Sequence, residues 1–365
     1  MANPIARLLG ISAREISSPW TDRSSLETAT WAHLLDLDAD ALPVTRAQAM
    51  SVAALAKGRN LIAGSIGRLP LVAMTGDAPT PGPTILDQPE QGRPRVITMT
   101  WMVDALMWYG VAHYLIVDRY AEDGRPRRIQ WVPQWHATTD ETGTLIGAWG
   151  RPVNRADVIR VDGPHEGILT YASERIRAAL RLDRAALIAS TNPVPAVELH
   201  QTGGTPLTPE QARALVAEYV NQRAKTNVSY SSASIETKTL AASPENLLID
   251  GRKAAALDLA RVLGLPAWAV DAPAEGASMT YTNVPARARE LIDYTLAPYM
   301  AAICERLSLD DILPRGQWCR FDTDPLLAAD FGDRMTSYKT AIESGVYTVD
   351  DLIAREHGTP RETSK

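Results

Sequence analysis

The chain has 365 residues, which is long enough for two or three folding units and excludes one small module. Its 37 Lys and Arg residues against 43 Asp and Glu residues give a net charge of −6, which argues against tight, sequence-independent binding to nucleic acid. Two cysteines, Cys304 and Cys319, are too few for a disulfide framework or a cysteine zinc site, so we expect the protein to fold in a reducing compartment such as the cytoplasm.

The N-terminal segment and the most apolar stretch are the two places where a targeting or membrane signal could lie. Arg7 and Arg14 interrupt the segment 1–18, so we expect no signal peptide there. The apolar stretch 101–117 contains Asp104 and Gly110 and is too short to span a membrane. It predicts a buried helix that turns into a strand.

Segment 1–165 predicts a mixture of helices and strands. Apolar residues at helical spacing behind Thr45 predict one helix over 45–69 that ends at Pro70, and the segment 75–95 is rich in proline and predicts a loop. A second helix is predicted over 99–109. Strand-like runs separated by Asp-Gly and Thr-Gly turns follow it, at 112–120, 128–132 and 153–161.

Two helices bracket a small insertion in the middle of the chain. The segment 173–190 lacks Gly and Pro and predicts one continuous helix, and a second helix starts near Ser243 and ends at Gly264. Between them the sequence predicts a strand, a helix capped by Thr208 with Gln211 as its capping-box partner, and another strand. The insertion spans 193–240.

The last third predicts a long loop and a long helix. The segment 266–283 has no helical period and forms a loop too long for a routine connection, which favours a functional role. The segment 284–307 is strongly helical in pattern, and Pro298 inside it predicts a kink. The tail predicts a helix over 330–344, a stop at Gly345 and a short capped helix over 348–357.

A search for chemistry gives mostly negative results. The six histidines show no metal-ligand spacing, and neither a phosphate-binding loop nor a dinucleotide glycine pattern is present. The alternating Asp36, Asp38 and Asp40 lack the glycine and glutamate of a calcium loop, and Asp322 with Asp324 fits a turn better than a Mg²⁺ site. We therefore expect no catalytic residue, no metal and no cofactor.

Two features leave alternatives open. Arg177, Arg181 and Arg184 share one helix face, which fits either a DNA-facing stripe or a solvated or subunit-facing surface. Trp268 and Tyr281 in the long loop fit either stacking on bases or packing at the ends of the loop.

In order and spacing, several segments resemble the portal proteins of tailed bacteriophages, and the resemblance runs from about residue 45 to about residue 358. The segments that carry it are IAGSIGRLPL at 62–71, LDQP at 86–89, WYGVAHYLIVDRYAEDGRPRRIQWVP at 108–133, RVLGLP at 261–266, TYTN at 280–283, TLAP at 295–298 and ESGVYTVDDLIAR at 343–355. None of these segments is a catalytic signature.

The resemblance implies an α+β, multidomain portal fold with long stem helices and a kinked wing helix. Its implied parts are a wing (1–165), a first stem helix (166–192), a clip (193–242), a second stem helix (243–265), a tunnel loop (266–283), the kinked wing helix (284–312) and a short crown (313–365). The implied functional residues are Trp268, Asp271, Glu275, Met279 and Tyr281 in the tunnel loop; Arg177, Arg181, Arg184, Arg252 and Lys253 in the stem; Arg223, Lys225 and Lys238 in the clip as contacts to terminase; and Pro298 at the kink.

The implied function is that of a structural ring protein and not of an enzyme. Twelve copies would form a ring at one capsid vertex, contact the major capsid protein, dock the terminase large subunit and the head-tail adaptor, and let double-stranded DNA pass, without contact with a membrane. The ring would assemble in the host cytoplasm and remain in the virion.

Two other functions compete with this one. A metal-dependent DNA-processing enzyme would use the Asp pairs and the arginine stripe. Another head-tail ring protein, such as an adaptor, would be shorter and would lack the long loop before a kinked helix.

Overall fold

The computed structural model describes residues 43–191, 197–203, 207–225, 235–239, 245–270, 284–327 and 331–357. The described chain divides into two compact units. The first joins the residues up to 176 to those from 257 onward, and the second contains residues 177–256. No helix among these described ranges has the length and apolarity needed to cross a membrane.

The N-terminal part of the first unit alternates helices with short antiparallel strands. Its elements in chain order are α1 (Arg46–Ser51), α2 (Ala53–Arg68), β1 (Leu71–Thr75), β2 (Ala78–Thr80), α3 (Thr84–Asp87), α4 (Arg95–Tyr109), β3 (Val111–Arg119), β4 (Pro126–Val132), β5 (Ala137–Thr139), β6 (Leu145–Ala148), β7 (Arg151–Pro152), β8 (Val158–Asp162) and α5 (Ile168–Tyr171).

Two long helices, α6 (Ser173–Thr191) and α8 (Glu245–Val262), lead out of the first unit and back into it. Between them lie β9 (Val197–Gln201), α7 (Pro209–Lys225) and β10 (Ile235–Thr239). The C-terminal part of the first unit then contains α9 (Val284–Leu291), a π-helical segment (Ile292–Leu296), α10 (Ala297–Leu307), β11 (Gln317–Phe321), α11 (Asp324–Leu327), α12 (Phe331–Glu343) and α13 (Val349–His357).

The helix predicted over 45–69 is two helices, so that prediction is wrong at Val52. Thr45 caps α1 as expected, because its Oγ1 accepts from the Gln48 N–H at 3.2 Å and its own N–H donates to Gln48 Oε1 at 2.9 Å. The Ser51 hydroxyl donates to the Gln48 carbonyl at 2.6 Å, and the buried Val52 is extended (ψ 116°). A side-chain hydroxyl that bonds to a carbonyl of its own helix competes with the helical ladder, which favours a break at this position.

A buried carboxylate connects α1, α2 and α4. Asp104 is 1 % exposed and accepts from Arg46 Nε and Nη2, both at 2.9 Å, and from Arg59 Nε at 2.5 Å. The indole N–H of Trp108 also donates to it, at 3.2 Å. The charge that interrupts the apolar stretch 101–117 is therefore the acceptor for donors from all three helices.

The predicted change from helix to strand at Gly110 is confirmed. Gly110 ends α4 in the left-handed conformation (φ 73°), and a Cβ atom there would lie 2.6 Å from the backbone carbonyl oxygen of His165. Gly167 lies equally close to Trp108, since a Cβ atom added at Gly167 would lie 2.6 Å from the Trp108 carbonyl oxygen. Only glycine fits either position, so these two glycines determine where α4 gives way to β3.

The strands form small antiparallel sheets. β3 lies between β4 and β8, β6 lies between β5 and β7, and the turns at Gly124 and Gly143 have φ of 70° and 74°. The strand predicted over 153–161 begins only at Val158, because Asn154 caps a single 3₁₀ turn before it. The segment predicted as a loop over 75–95 contains β2 and α3.

The described residues after 312 do not form one separate domain. β11 pairs with β1, with Leu71 opposite Phe321 and Thr75 opposite Gln317, so residues 317–321 belong to a sheet of the first unit and not to a crown that starts at 313. The two predicted tail helices are confirmed as α12 and α13. Gly345 (φ 70°) ends the first, and Thr348 caps the second by accepting from the Asp351 N–H at 3.2 Å.

The segment 284–307 is helical throughout, as predicted, but its middle part is a π-helix between two α-helices. The π-helical segment lies directly before Pro298, which is at the start of α10. A wider i→i+5 turn accommodates the missing N–H of a proline, so the π segment is the structural response to Pro298. The kink itself stays a prediction.

Replacing Asp104 with Asn should destabilise the first unit strongly. The change deprives the buried guanidinium groups of Arg46 and Arg59 of this counter-charge, and breaking a buried ion pair in this way costs about 3–5 kcal/mol. The measurement is the free energy of unfolding from urea titration of the full chain.

The matched control is Asp118→Asn. Asp118 pairs with Arg127 at 3.3 Å at the surface, where the loss should be about 1 kcal/mol or less. Equal stabilities of the two variants would contradict the assigned role of Asp104.

Candidate functional site

The predicted stem helices, α6 and α8, contact each other through both charge and close packing. Within the second unit, Arg252 Nε donates to Asp183 Oδ1 at 2.9 Å. A Cβ atom at Gly251 would lie 3.5 Å from both methyl carbons of Leu182, so this leucine packs over the glycine. In the first unit, Arg175 lies 3.8 Å from Asp258.

The predicted stem residues are placed on these helices, and their charges are partly used within the chain. Arg252 pairs with Asp183, and Lys253 Nζ lies 3.9 Å from Asp250 Oδ1 one turn earlier on α8. Arg181 and Arg184 are exposed and Arg177 is half-buried. Arg175 and Arg252 on this helix pair have carboxylates beside them, so the surface is of mixed charge, which favours a solvated or subunit-facing surface over a purely basic DNA stripe.

Large apolar side chains are also exposed on the same helices. Leu187 on α6 is 64 % exposed and Ile249 on α8 is 51 % exposed. Exposed leucine and isoleucine side chains on long helices form apolar surface that a neighbouring chain can bury.

The predicted clip has the expected elements. β9 and β10 are antiparallel, with Val197 opposite Thr239. The capping box at the start of α7 is confirmed, because the Thr208 N–H donates to Gln211 Oε1 at 3.0 Å and the Gln211 N–H donates back to Thr208 Oγ1 at 3.4 Å. Arg223 and Lys225 lie in the last turn of α7.

The third predicted clip residue, Lys238, lies in β10, opposite Glu198 of β9. The side-chain positions of Arg223, Lys225 and Lys238 lie outside the described structure. Their contacts to a partner therefore stay a prediction.

The predicted tunnel loop, 266–283, is described only over residues 266–270. Asp271, Glu275, Met279 and Tyr281 lie outside the described residues. Trp268 lies in a short 3₁₀ turn, Ala267–Val270, directly before them and is 36 % exposed.

Contacts join the start of the loop to the helix that follows it. The Trp268 indole N–H donates to Glu290 Oε2 at 3.3 Å, and the Arg287 guanidinium lies 5.8 Å from the centre of the indole ring. The Thr295 hydroxyl, in the π-helical segment, donates to the Gly264 carbonyl at 2.6 Å. These contacts of Trp268 favour packing at the end of the loop over stacking on bases, the other alternative that its sequence leaves open.

No three His, Cys, Asp or Glu side chains come together within the described ranges in a way that could hold a metal ion. The Asp322 carboxylate accepts from the Asp324 N–H at 3.1 Å and starts α11, which is the turn that the sequence predicts. Asp36, Asp38 and Asp40 lie outside the described residues.

Sequence reasoning missed the residues that hold the loop base. Glu290 and Thr295 occupy ordinary helical positions, and nothing in their spacing indicates a partner on the far side of the loop. A polar residue among the apolar positions of helix 284–307 is the one signal that could have singled out Thr295, which is 3 % exposed.

Comparison with known proteins places the chain in a family. Residues 53–356 match the family described as phage portal protein. The crystal structure of an HK97 family phage portal protein from Corynebacterium diphtheriae is 31 % identical, with 79 % of this chain and 98 % of that chain covered and a TM-score of 0.59. A search of the curated proteins gives no match.

Two structures of gene transfer agent particles share the fold at lower identity. A chain in the neck of the empty particle, computed with C6 symmetry, is 17 % identical, with 87 % of this chain and 95 % of that chain covered and a TM-score of 0.62. A chain in the neck of the native particle, computed with C12 symmetry, is 17 % identical, with 84 % and 90 % covered and a TM-score of 0.58. The chain belongs to the phage portal protein family, because the family match spans most of its length and a solved portal protein is 31 % identical over the 79 % of the chain that it covers.

Proposed function

We propose that twelve copies of this chain form a ring at one vertex of a phage capsid and that duplex DNA passes through the ring during packaging and ejection. The match to the portal family over residues 53–356 carries this proposal. The ring contacts the major capsid protein, docks the terminase large subunit during packaging and later binds the head-tail adaptor. It assembles in the host cytoplasm and stays in the virion.

The parts of the ring follow the order of the chain. Residues 1–165 and 284–312 form the wing, α6 and α8 form the stem, and β9, α7 and β10 form the clip. Residues 266–283 form the tunnel loop, and the C-terminal helices form a short crown after β11. The packed pair α6–α8 supports this assignment, because two charged helices with exposed Leu187 and Ile249 suit a wall in which each stem meets a neighbouring stem.

The negative net charge of the chain supports the proposal that DNA slides through the ring. Duplex DNA carries one phosphate charge per roughly 1.7 Å, so a strongly basic channel would hold it tightly. A ring of twelve chains, each with a net charge of −6, carries a formal charge of −72. Residues 266–283 contain Asp271 and Glu275 and no Lys or Arg, so this segment favours the movement of DNA through the ring over tight binding of DNA.

Deleting residues 272–279 should leave rings intact and abolish DNA packaging. The contacts that close the loop base involve Trp268, Glu290 and Thr295 and remain in the variant. The measurements are electron microscopy of the purified protein and the mass of DNA in particles assembled with it.

The matched control replaces 272–279 with a glycine–serine segment of the same length, which keeps the spacing and removes the side chains. Monomers in place of rings, or normal packaging by both variants, would contradict the assignment of this segment as a channel loop.

Gly251→Ala should raise the stability of the stem, and Gly251→Leu should lower it. An added Cβ makes an ordinary contact with Leu182 at 3.5 Å, and a glycine inside a helix costs roughly 0.5–1 kcal/mol relative to alanine. A leucine side chain extends beyond the Cβ that already contacts Leu182, so we expect it to push α6 and α8 apart. The measurements are the melting temperature and the fraction of protein in rings, and a destabilised Gly251→Ala variant would contradict the packing described for this helix pair.

A further inference from the structure

The two cysteines of the chain meet at a position that the proposed function does not use. Cys304 lies on α10 and Cys319 on β11, and α10 packs against this strand. Cys319 is 2 % exposed and Cys304 is half-buried. The chain has no other cysteine, and the fold itself brings these two thiols to one place.

Hydrogen bonds fix the Cys319 thiol against the backbone of Cys304. The Cys319 Sγ–H donates to the Cys304 carbonyl at 3.6 Å. The Ser308 hydroxyl accepts from the Cys319 N–H at 3.0 Å and donates to the Cys304 carbonyl at 2.6 Å. These contacts hold the last turn of α10 against β11 with the two sulfur atoms between them.

The pair opens onto a cavity. Both cysteines line a space of about 360 Å³ whose other walls include Met300, Trp318 and Phe321. This volume can admit part of a small thiol reagent, and the half-buried Cys304 is the side chain that such a reagent meets first.

We propose that Cys304 and Cys319 are a modification site, where a small disulfide such as oxidised glutathione converts the two thiols into an intramolecular disulfide that ties α10 to β11. The Cys304 thiolate attacks one sulfur of the reagent, whose S–S bond breaks and releases one glutathione thiolate. The Cys319 thiolate then attacks the Cys304 sulfur and displaces the second glutathione. The two protons of the protein thiols end on the two glutathione molecules, and the protein loses two electrons to the reagent.

The surroundings of the two thiols determine which step is slow. The hydrogen bond to Cys319, together with burial, raises the pKa of Cys304, so little thiolate forms there and its attack on the reagent is the slow step. A hydrogen bond from the Cys304 thiol lowers the pKa of Cys319, and so does the Ser308 hydroxyl when its one proton turns from the Cys304 carbonyl to Cys319 Sγ, which lies 3.7 Å away. The Ser308 hydroxyl stays in place after Cys304 has reacted, which favours the second attack.

The disulfide should stabilise the fold. It closes a loop that contains the turn after α10 and joins two elements of the first unit. Such a link restricts the unfolded chain more than the folded one.

Peptide mapping of the purified full chain tests the chemistry. After incubation with oxidised glutathione, mass spectrometry without reductant should find the peptides of Cys304 and Cys319 joined, with the loss of two hydrogens. Dithiothreitol should reverse the link. The melting temperature should rise by about 2–4 °C on oxidation and return on reduction.

Cys319→Ser is the matched variant. It should take up one glutathione on Cys304, form no cross-link and show no rise in melting temperature. In the unaltered chain, four results would overturn the proposal: two cysteines that stay reduced, glutathione retained on both, a disulfide between chains, or a cross-link that leaves the melting temperature unchanged.

The timing of the modification rests on the proposed function, because a portal folds in a reducing cytoplasm and is later carried in released particles. Alkylation of thiols in intact cells should find both cysteines reduced, and alkylation of released particles should find them joined. Reduced cysteines in released particles would overturn the timing, while the result with purified protein, which depends on no virion, decides the chemistry separately.

Discussion

The buried carboxylate of Asp104 is the interaction on which the first unit depends. It lies in the middle of α4, a helix whose other buried residues are nearly all apolar, and it carries a charge that the interior tolerates only when it is paired and hydrogen-bonded. Arg46 from α1 and Arg59 from α2 supply that pairing. The position of α4 then fixes β3, because only Gly110 separates them, and β3 is the central strand to which β4 and β8 are added.

Further contacts connect this framework to α10, part of the helical segment that follows the proposed channel loop, residues 266–283. Arg306 on α10 donates to the Arg160 carbonyl in β8 at 2.9 Å, so the sheet holds the helix that follows the loop. His165 lies directly behind Gly110 and forms a 2.7 Å hydrogen bond between its Nε2 and the Tyr299 hydroxyl on α10. These two hydrogen bonds attach α10, the helix after the π-helical segment, to β8 and to His165. The segment 266–283 carries no Lys or Arg, which suits the proposed position beside moving DNA.

Local chemistry determines the elements that could be predicted from the sequence. Thr45, Thr208 and Thr348 mark helix starts through side-chain caps, and Gly110 and Gly345 mark helix ends through the left-handed conformation, so these boundaries could be identified without a structure. The strand–helix–strand insertion was predictable for the same reason. The family could be identified because the order of several short segments is specific even though none of them carries chemistry.

The features that could not be predicted depend on contacts between distant positions. The break at Val52 arises from the Ser51 hydroxyl and a buried valine, and the pairing of β11 with β1 joins two distant parts of the chain, so neither has a local signal. The partners of Trp268 and the meeting of Cys304 with Cys319 are likewise products of packing. The sequence predicts Arg252 as a charged stem residue, but only the structure shows that Arg252 forms an ion pair with Asp183.

The central claim is that this chain acts collectively, as the wall of a channel for duplex DNA. Cryo-electron microscopy of capsids that contain the protein, reconstructed around the portal vertex without imposed symmetry, tests it most directly. The account predicts twelve copies around a lumen that a double helix can enter, with residues 266–283 at its narrowest point. Single copies at that vertex, or a closed centre, would contradict it.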